Sequence, residues 1–106
     1  MVRSMKLGGA LCAMLISQNA VAQTFPVQLD GRIIEFWNEQ SGDVTLRLSV
    51  NGPCGSANFS IQHSVPSFQG MTAAMLTAAA SSKTVRLQLS GCNGSYNIVD
   101  HGAVLF

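Results

Sequence analysis

Charge is scarce in this sequence. Asp, Glu, Lys and Arg make up 10% of its 106 residues, under half the roughly 25% of an ordinary soluble domain. No basic patch is large enough to compete for phosphate backbones, and no nucleic-acid partner is expected. Cysteine is nearly as sparse, with three in the chain, Cys12, Cys54 and Cys92. None forms the close C-x-x-C pair of a redox or zinc motif. H-E-x-x-H, G-x-S-x-G and paired-carboxylate spacings are missing as well. The chain is therefore expected to be no enzyme, with no catalytic residue, no metal ligand and no cofactor. Its main apolar run, Leu7 to Ile16, is shorter than the roughly 20 residues of a membrane-spanning helix, so no stable membrane anchor is expected.

That run has another use. Arg3 and Lys6 precede it, and a short polar stretch leads from it to Ala20-Val21-Ala22. Positive charge, apolar run and small residues, in that order, spell a secretory signal peptide. Cleavage after Ala22 makes residues 1–22 the signal and residues 23–106 a single domain, exported to the periplasm or beyond. Leu11 before Cys12 is too large for the small-residue position of a lipoprotein signal. Removing Cys12 leaves Cys54 and Cys92 as an even pair in an oxidising compartment, where they are expected to bond to each other. That bond would close a loop of about 39 residues and contribute roughly 4 kcal/mol through the entropy of the unfolded chain. For a domain this small, it is a large share of the total.

Alternation reads as strands. Gly31 to Asn38 is rich in β-formers, and Glu39-Gln40-Ser41-Gly42-Asp43 breaks it as a hairpin turn does. Val44 to Val50 alternates cleanly, with Val44, Leu46, Leu48 and Val50 on one face. Ala57 to His63 makes a third strand. The period then changes: Ser67 stands as a cap, and Phe68, Met71, Met75 and Ala78-Ala79 recur at helical spacing to about Ser81, with Leu76 beside them. Lys83 to Ser90 alternates again, Gly91 to Ser95 turns, and Tyr96 to Phe106 supplies a last strand interrupted at Gly102. The fold class is mainly β with one helix. The order β-β-β-α-β-β is that of the OB-fold, a five-stranded Greek-key barrel.

From Phe68 onward, a set of residues carries a family resemblance: Phe68 and Met71, the Met75-Leu76 pair, Ala78 to Ala80, Lys83, Val85 and the Gly91-Cys92 turn. The Cys54-Gly55 turn belongs with them. On these positions the chain resembles small exported bacterial OB-fold proteins, a group similar to the receptor-binding B subunits of AB5 toxins of the subtilase-cytotoxin and pertussis-like kind. The resemblance implies the barrel. It also implies glycan recognition and rings of five subunits, although no glycan-contacting motif falls on a position here.

Candidate binding residues follow from the alternation. Thr45, Arg47, Arg86 and Gln88 stand opposite the core faces of their strands. Trp37 and Tyr96, the only Trp and Tyr, offer rings with a polar edge. Trp37 is a candidate sugar-stacking residue, against the alternative that it packs on the barrel wall. His63 and His101 lack the partners of a metal or catalytic site and read as structural or surface residues. The stretch from Ser67 to Ser82 holds no charged residue. Its outer face, Thr72, Ala73, Thr77 and Ala80, is small and neutral, which suits close approach by a second copy. The expected function is an exported, non-catalytic module that recognises a carbohydrate or a partner protein as a homo-oligomer. The alternative is a periplasmic structural or accessory protein without a small ligand.

Overall fold

The structure, a computed structural model, describes residues 24–106. The signal peptide expected at residues 1–22 lies outside the described residues. Five strands and one helix follow: β1 (Val27–Asn38), β2 (Val44–Leu48), β3 (Asn58–Ile61), α1 (Phe68–Ala80), β4 (Thr84–Asn93) and β5 (Tyr96–Leu105). The strands close into a barrel in the order β1-β2-β3-β5-β4, with β3 and β5 parallel and every other pair antiparallel. This is the OB-type barrel that the element order implies.

The alternating apolar faces of β2, β3 and β4 fill the barrel. Leu46, Phe59, Ile61, Val85, Leu87 and Leu89 are fully buried, and Met71, Met75 and Ala78 of α1 join them. The helix closes the core instead of lying on a finished surface. β5 runs unbroken through Gly102, whose bare α-carbon faces Met71 and Met75 of the helix.

β1 is longer than the sequence pattern indicates, and its extra length closes the barrel. Val27 to Arg32 pairs with β4, and the later half pairs with β2. Between the halves the register slips at Ile34. One extra residue in a strand reverses which side chains face inward. Before the bulge Val27, Leu29 and Ile33 pack on the core. After it Phe36 does, while Glu35 and Trp37 pair in register with the outward Arg47 and Thr45. Uninterrupted alternation from Ile33 would have put Trp37 inside. With the bulge it is 52% exposed, so the barrel-wall alternative does not hold.

Other departures are local. β2 ends at Leu48, and Val50 is exposed rather than continuing the inward face. β3 is trimmed to four residues. Cys92 lies within β4, which continues to Asn93 and tightens the turn to Gly94-Ser95. Gly94, at φ 60°, takes the first central position of that two-residue hairpin, where positive φ favours glycine. Ser67 stands at the helix N-cap, but its hydroxyl makes no capping bond. Leu76, grouped with the core residues by the sequence pattern, is 53% exposed. It follows the buried Met75 directly, and a step of about 100° carries it off the narrow inward stripe.

The disulfide Cys54–Cys92 joins the β2–β3 connection to the end of β4, with the α-carbons 5.6 Å apart. Beneath it lies Asn97, fully buried and opposite Cys92 in the β4–β5 register. The Cys54 N–H donates to Asn97 Oδ1 at 2.9 Å. Asn97 Nδ2 donates to the carbonyls of Ser56 at 3.1 Å and Asn58 at 2.9 Å. One amide thus bonds three backbone groups of the segment that leads into β3. Gly52 packs against that amide so closely that a Cβ would overlap it. The Ser56 hydroxyl also donates to the Ser95 carbonyl, tying the β4–β5 hairpin tip to the same loop.

Candidate functional site

Barrel closure gathers polar side chains on the outer wall of β1, β2 and β3. Two cross-strand rows run there: Glu35, Arg47 and Asn58, then Trp37, Thr45 and Ser60. Where the second row meets the loops, a cleft of about 320 Å³ opens. Glu39, Gln40, Ser41 and Asp43 line it from the β1–β2 turn, Thr45 and Ser60 from the strands, and Asn93 and Tyr96 from the β4–β5 hairpin. The β2–β3 face flanked by those two loops is the surface with which OB-folds bind oligosaccharides and oligonucleotides.

Several lining groups are held by the fold. Thr45 points outward by alternation yet is only 4% exposed, because Trp37 and Ser60 flank it in register. It forms part of the cleft lining from the middle of the wall. The β1–β2 turn is closed by the Glu39 N–H donating to the Asp43 carbonyl at 2.8 Å. Asp43 is fixed from the other side: its Oδ1 accepts from the His63 N–H at 2.9 Å and contacts His63 Nδ1 at 2.6 Å. Asn93 and Tyr96 bracket the hairpin tip that the Ser56 hydroxyl and the Asn97 junction hold in place.

Electrostatics follow the ion pairs. The His63 backbone N–H, and then its ring, hold the Asp43 carboxyl below the ordinary carboxylate range. The Arg86 guanidinium, bidentate on Asp30 at 2.8 and 3.0 Å, lowers that carboxyl in the same way. Arg47 and Arg86 are each held more firmly protonated by the hydrogen bond to Glu35 or Asp30.

Asp43 therefore gives a pH-dependent stability. Its folded-state pKa lies below the ordinary aspartate value of 3.8. The contribution is complete above that value and disappears as the pH falls through the folded one. Replacing Asp43 by Asn keeps an acceptor for the His63 N–H and removes the titration. Melting temperature followed from pH 7 to pH 2 should fall less steeply in Asp43→Asn than in the wild type.

The structure divides the candidates read from the sequence. Trp37, Thr45 and Arg47 share the β1–β2 wall, with Thr45 lining the cleft and Arg47 one row away, paired to Glu35 at 2.8 Å. Arg86 and Gln88 lie on the separate wall of β1, β4 and β5, beside Gln28 and His101. Thr72, Ala73, Thr77 and Ala80 lie on the outward side of α1, with Thr72 partly covered and the other three exposed. Leu76 stands among them. The histidines occupy two separate pairs, His63 with Asp43 and His101 with Asp100. Among the described residues, no group of three or more His, Cys, Asp or Glu converges as a metal site requires.

Sequence reasoning did not place Ser60, Asn93 or the β1–β2 turn residues in the site. Glu39 to Asp43 registered only as a break between strands. Their common signal is polarity at the loops an OB-fold uses, which becomes readable once the strand order is known. No family model matches this chain, and no curated protein matches it either.

Proposed function

We propose that this protein is an exported, non-catalytic binding module that recognises carbohydrate through the cleft around Thr45. One observation carries the reading: the cleft occupies the OB-fold binding position, and its lining is hydroxyl, amide and carboxylate with the Tyr96 ring beside it. Sugars need many hydrogen-bonding groups at fixed positions and an aromatic face for their C–H surfaces. Tyr96 and the exposed Trp37 supply rings on this side of the barrel. The Cys54–Cys92 bond suits an oxidising compartment. The resemblance to toxin B subunits points the same way.

A glycan array with the purified domain tests the reading. Wild-type protein should bind a defined set of glycans. Asn93→Arg, which fills the cleft from an exposed lining position, should lose that binding at an unchanged melting temperature. Equal binding by the variant would move the site elsewhere. Silence on the array from folded protein would favour an accessory or protein-binding role.

A second reading concerns assembly. The outward side of α1 carries no charge, and it includes the exposed Leu76, an arrangement that supports self-association of the domain. Light scattering measures this directly: a multiple of the protomer mass that Leu76→Lys reduces to one supports it, and a wild-type monomer opposes it.

A further inference from the structure

The cleft has a marked chemical asymmetry. Its eight lining side chains include two carboxylates, Glu39 and Asp43, and no Lys or Arg. Among the described residues, the Glu39 side chain makes no hydrogen bond. Asp43 uses Oδ1 for both contacts with His63, which leaves Oδ2 without a partner. Ionised carboxylates accept hydrogen bonds and donate none. The ligand must therefore bring donors, and adjacent sugar hydroxyls do so in short, charge-assisted O–H···O⁻ bonds. Ser41, Thr45, Ser60 and Tyr96 add hydroxyls that can donate or accept.

The cations of the described domain are engaged or distant. Arg47 pairs with Glu35 one row away. Arg86 pairs with Asp30 on another wall, where Arg32 lies in register with Thr84. Lys83 precedes β4, at the opposite end of that strand from Asn93. His63 reaches Asp43, but even when protonated it offsets only one of the two carboxylates. Like charges within a few ångströms at a protein surface repel by about as much as a tenfold change in affinity.

Building on the proposed carbohydrate reading, we infer that the cleft selects an uncharged glycan with adjacent hydroxyls and rejects its sialylated, sulfated or uronic-acid-bearing counterparts. Specificity of this kind comes from two directions. The carboxylates reward hydroxyl donors, and they penalise any ligand that arrives with its own negative charge.

The test is an array in which each neutral glycan stands beside a counterpart that differs by one acidic group. Neutral members should bind, with their acidic counterparts about tenfold weaker. Glu39→Gln, which keeps the size of the side chain and removes its charge, should weaken the neutral members several-fold and narrow the gap. Raising NaCl should leave neutral binding within about twofold, since no ligand charge is being screened. Equal or stronger binding of the acidic members overturns the inference while the carbohydrate reading stands. A steep loss of binding with salt also overturns it, by indicating an amine-bearing ligand. Absence of binding to every glycan removes both.

Discussion

Replacing Asn97 by Leu, a residue of the same branching, should destabilise the domain by about 2–5 kcal/mol. The cost is polar, not volumetric. The exchange leaves the Cys54 N–H and the Asn58 carbonyl without partners under the disulfide, at about 1–3 kcal/mol for each, while the Ser56 carbonyl keeps the Gly52 N–H. A domain with total stability near the low end of about 5–15 kcal/mol would then be partly unfolded at physiological temperature. Asn97→Asp sharpens the point. It turns the donating amide into a carboxylate facing two carbonyl oxygens, which raises the folded-state pKa of the new carboxyl. Its penalty is therefore largest at neutral pH and is relieved as the pH falls, because protonation restores one donor. Urea denaturation at pH 7 and pH 4 measures both variants. The gap between Asn97→Asp and wild type should narrow in acid, and the Asn97→Leu gap should not. Wild-type stability in Asn97→Leu would show that these three bonds are dispensable.

Loss of the Cys54–Cys92 bond should have an effect of the same order. With a sequence separation of 38, the entropy released to the unfolded chain amounts to about 4 kcal/mol. Cys54→Ser/Cys92→Ser, or wild type under reducing conditions, should show it as a lower urea midpoint. The two largest effects should also fall short of additivity when combined. Asn97 lies opposite Cys92 in register and accepts from the Cys54 N–H, so both perturbations loosen one junction. That junction positions the hairpin carrying Asn93 and Tyr96. Reduced protein that is still folded should consequently bind ligand more weakly than oxidised protein, an effect that denaturation alone does not reveal.

How far the sequence was readable depends on the range of the forces involved. β2 and β4 alternate without a break, and the Met71-Met75-Ala78 spacing is helical, so the type and chain order of the elements were legible from neighbours in the chain. The bulge at Ile34 was not, because two consecutive isoleucines do not reveal which one is expelled. That single residue decides that Trp37 faces solvent. The start of β1 was missed for a related reason. Val27 to Asp30 alternates, but only its pairing with β4 makes it a strand. Asn97 carries the most structural consequence with the least signal, as one polar residue at an inward position of an otherwise apolar alternation.

The site was half legible. Thr45 follows from local pattern, and Trp37, a candidate by residue type alone, shares with it the wall that borders the cleft. Arg86 and Gln88 follow from the same rule, but the closure of the barrel puts them on another face. Asn93 and Tyr96 reach the cleft because β5 pairs with β3 and β4 at once, a long-range fact that no short window of sequence contains. The turn Glu39 to Asp43 looked like punctuation. Its carboxylates acquire meaning only when Thr45, Ser60 and the hairpin stand around them.

The central claim is that the Thr45 cleft is the binding surface and that it takes an uncharged glycan. Backbone amide shifts of nitrogen-15-labelled domain, titrated with a neutral oligosaccharide chosen from the array, test it most directly. The account predicts saturable shifts concentrated at Ser41, Asp43, Thr45, Ser60, Asn93 and Tyr96, with the Arg86–Gln88 wall and α1 unmoved. Shifts centred on that wall or on the helix, with the cleft silent, would contradict it.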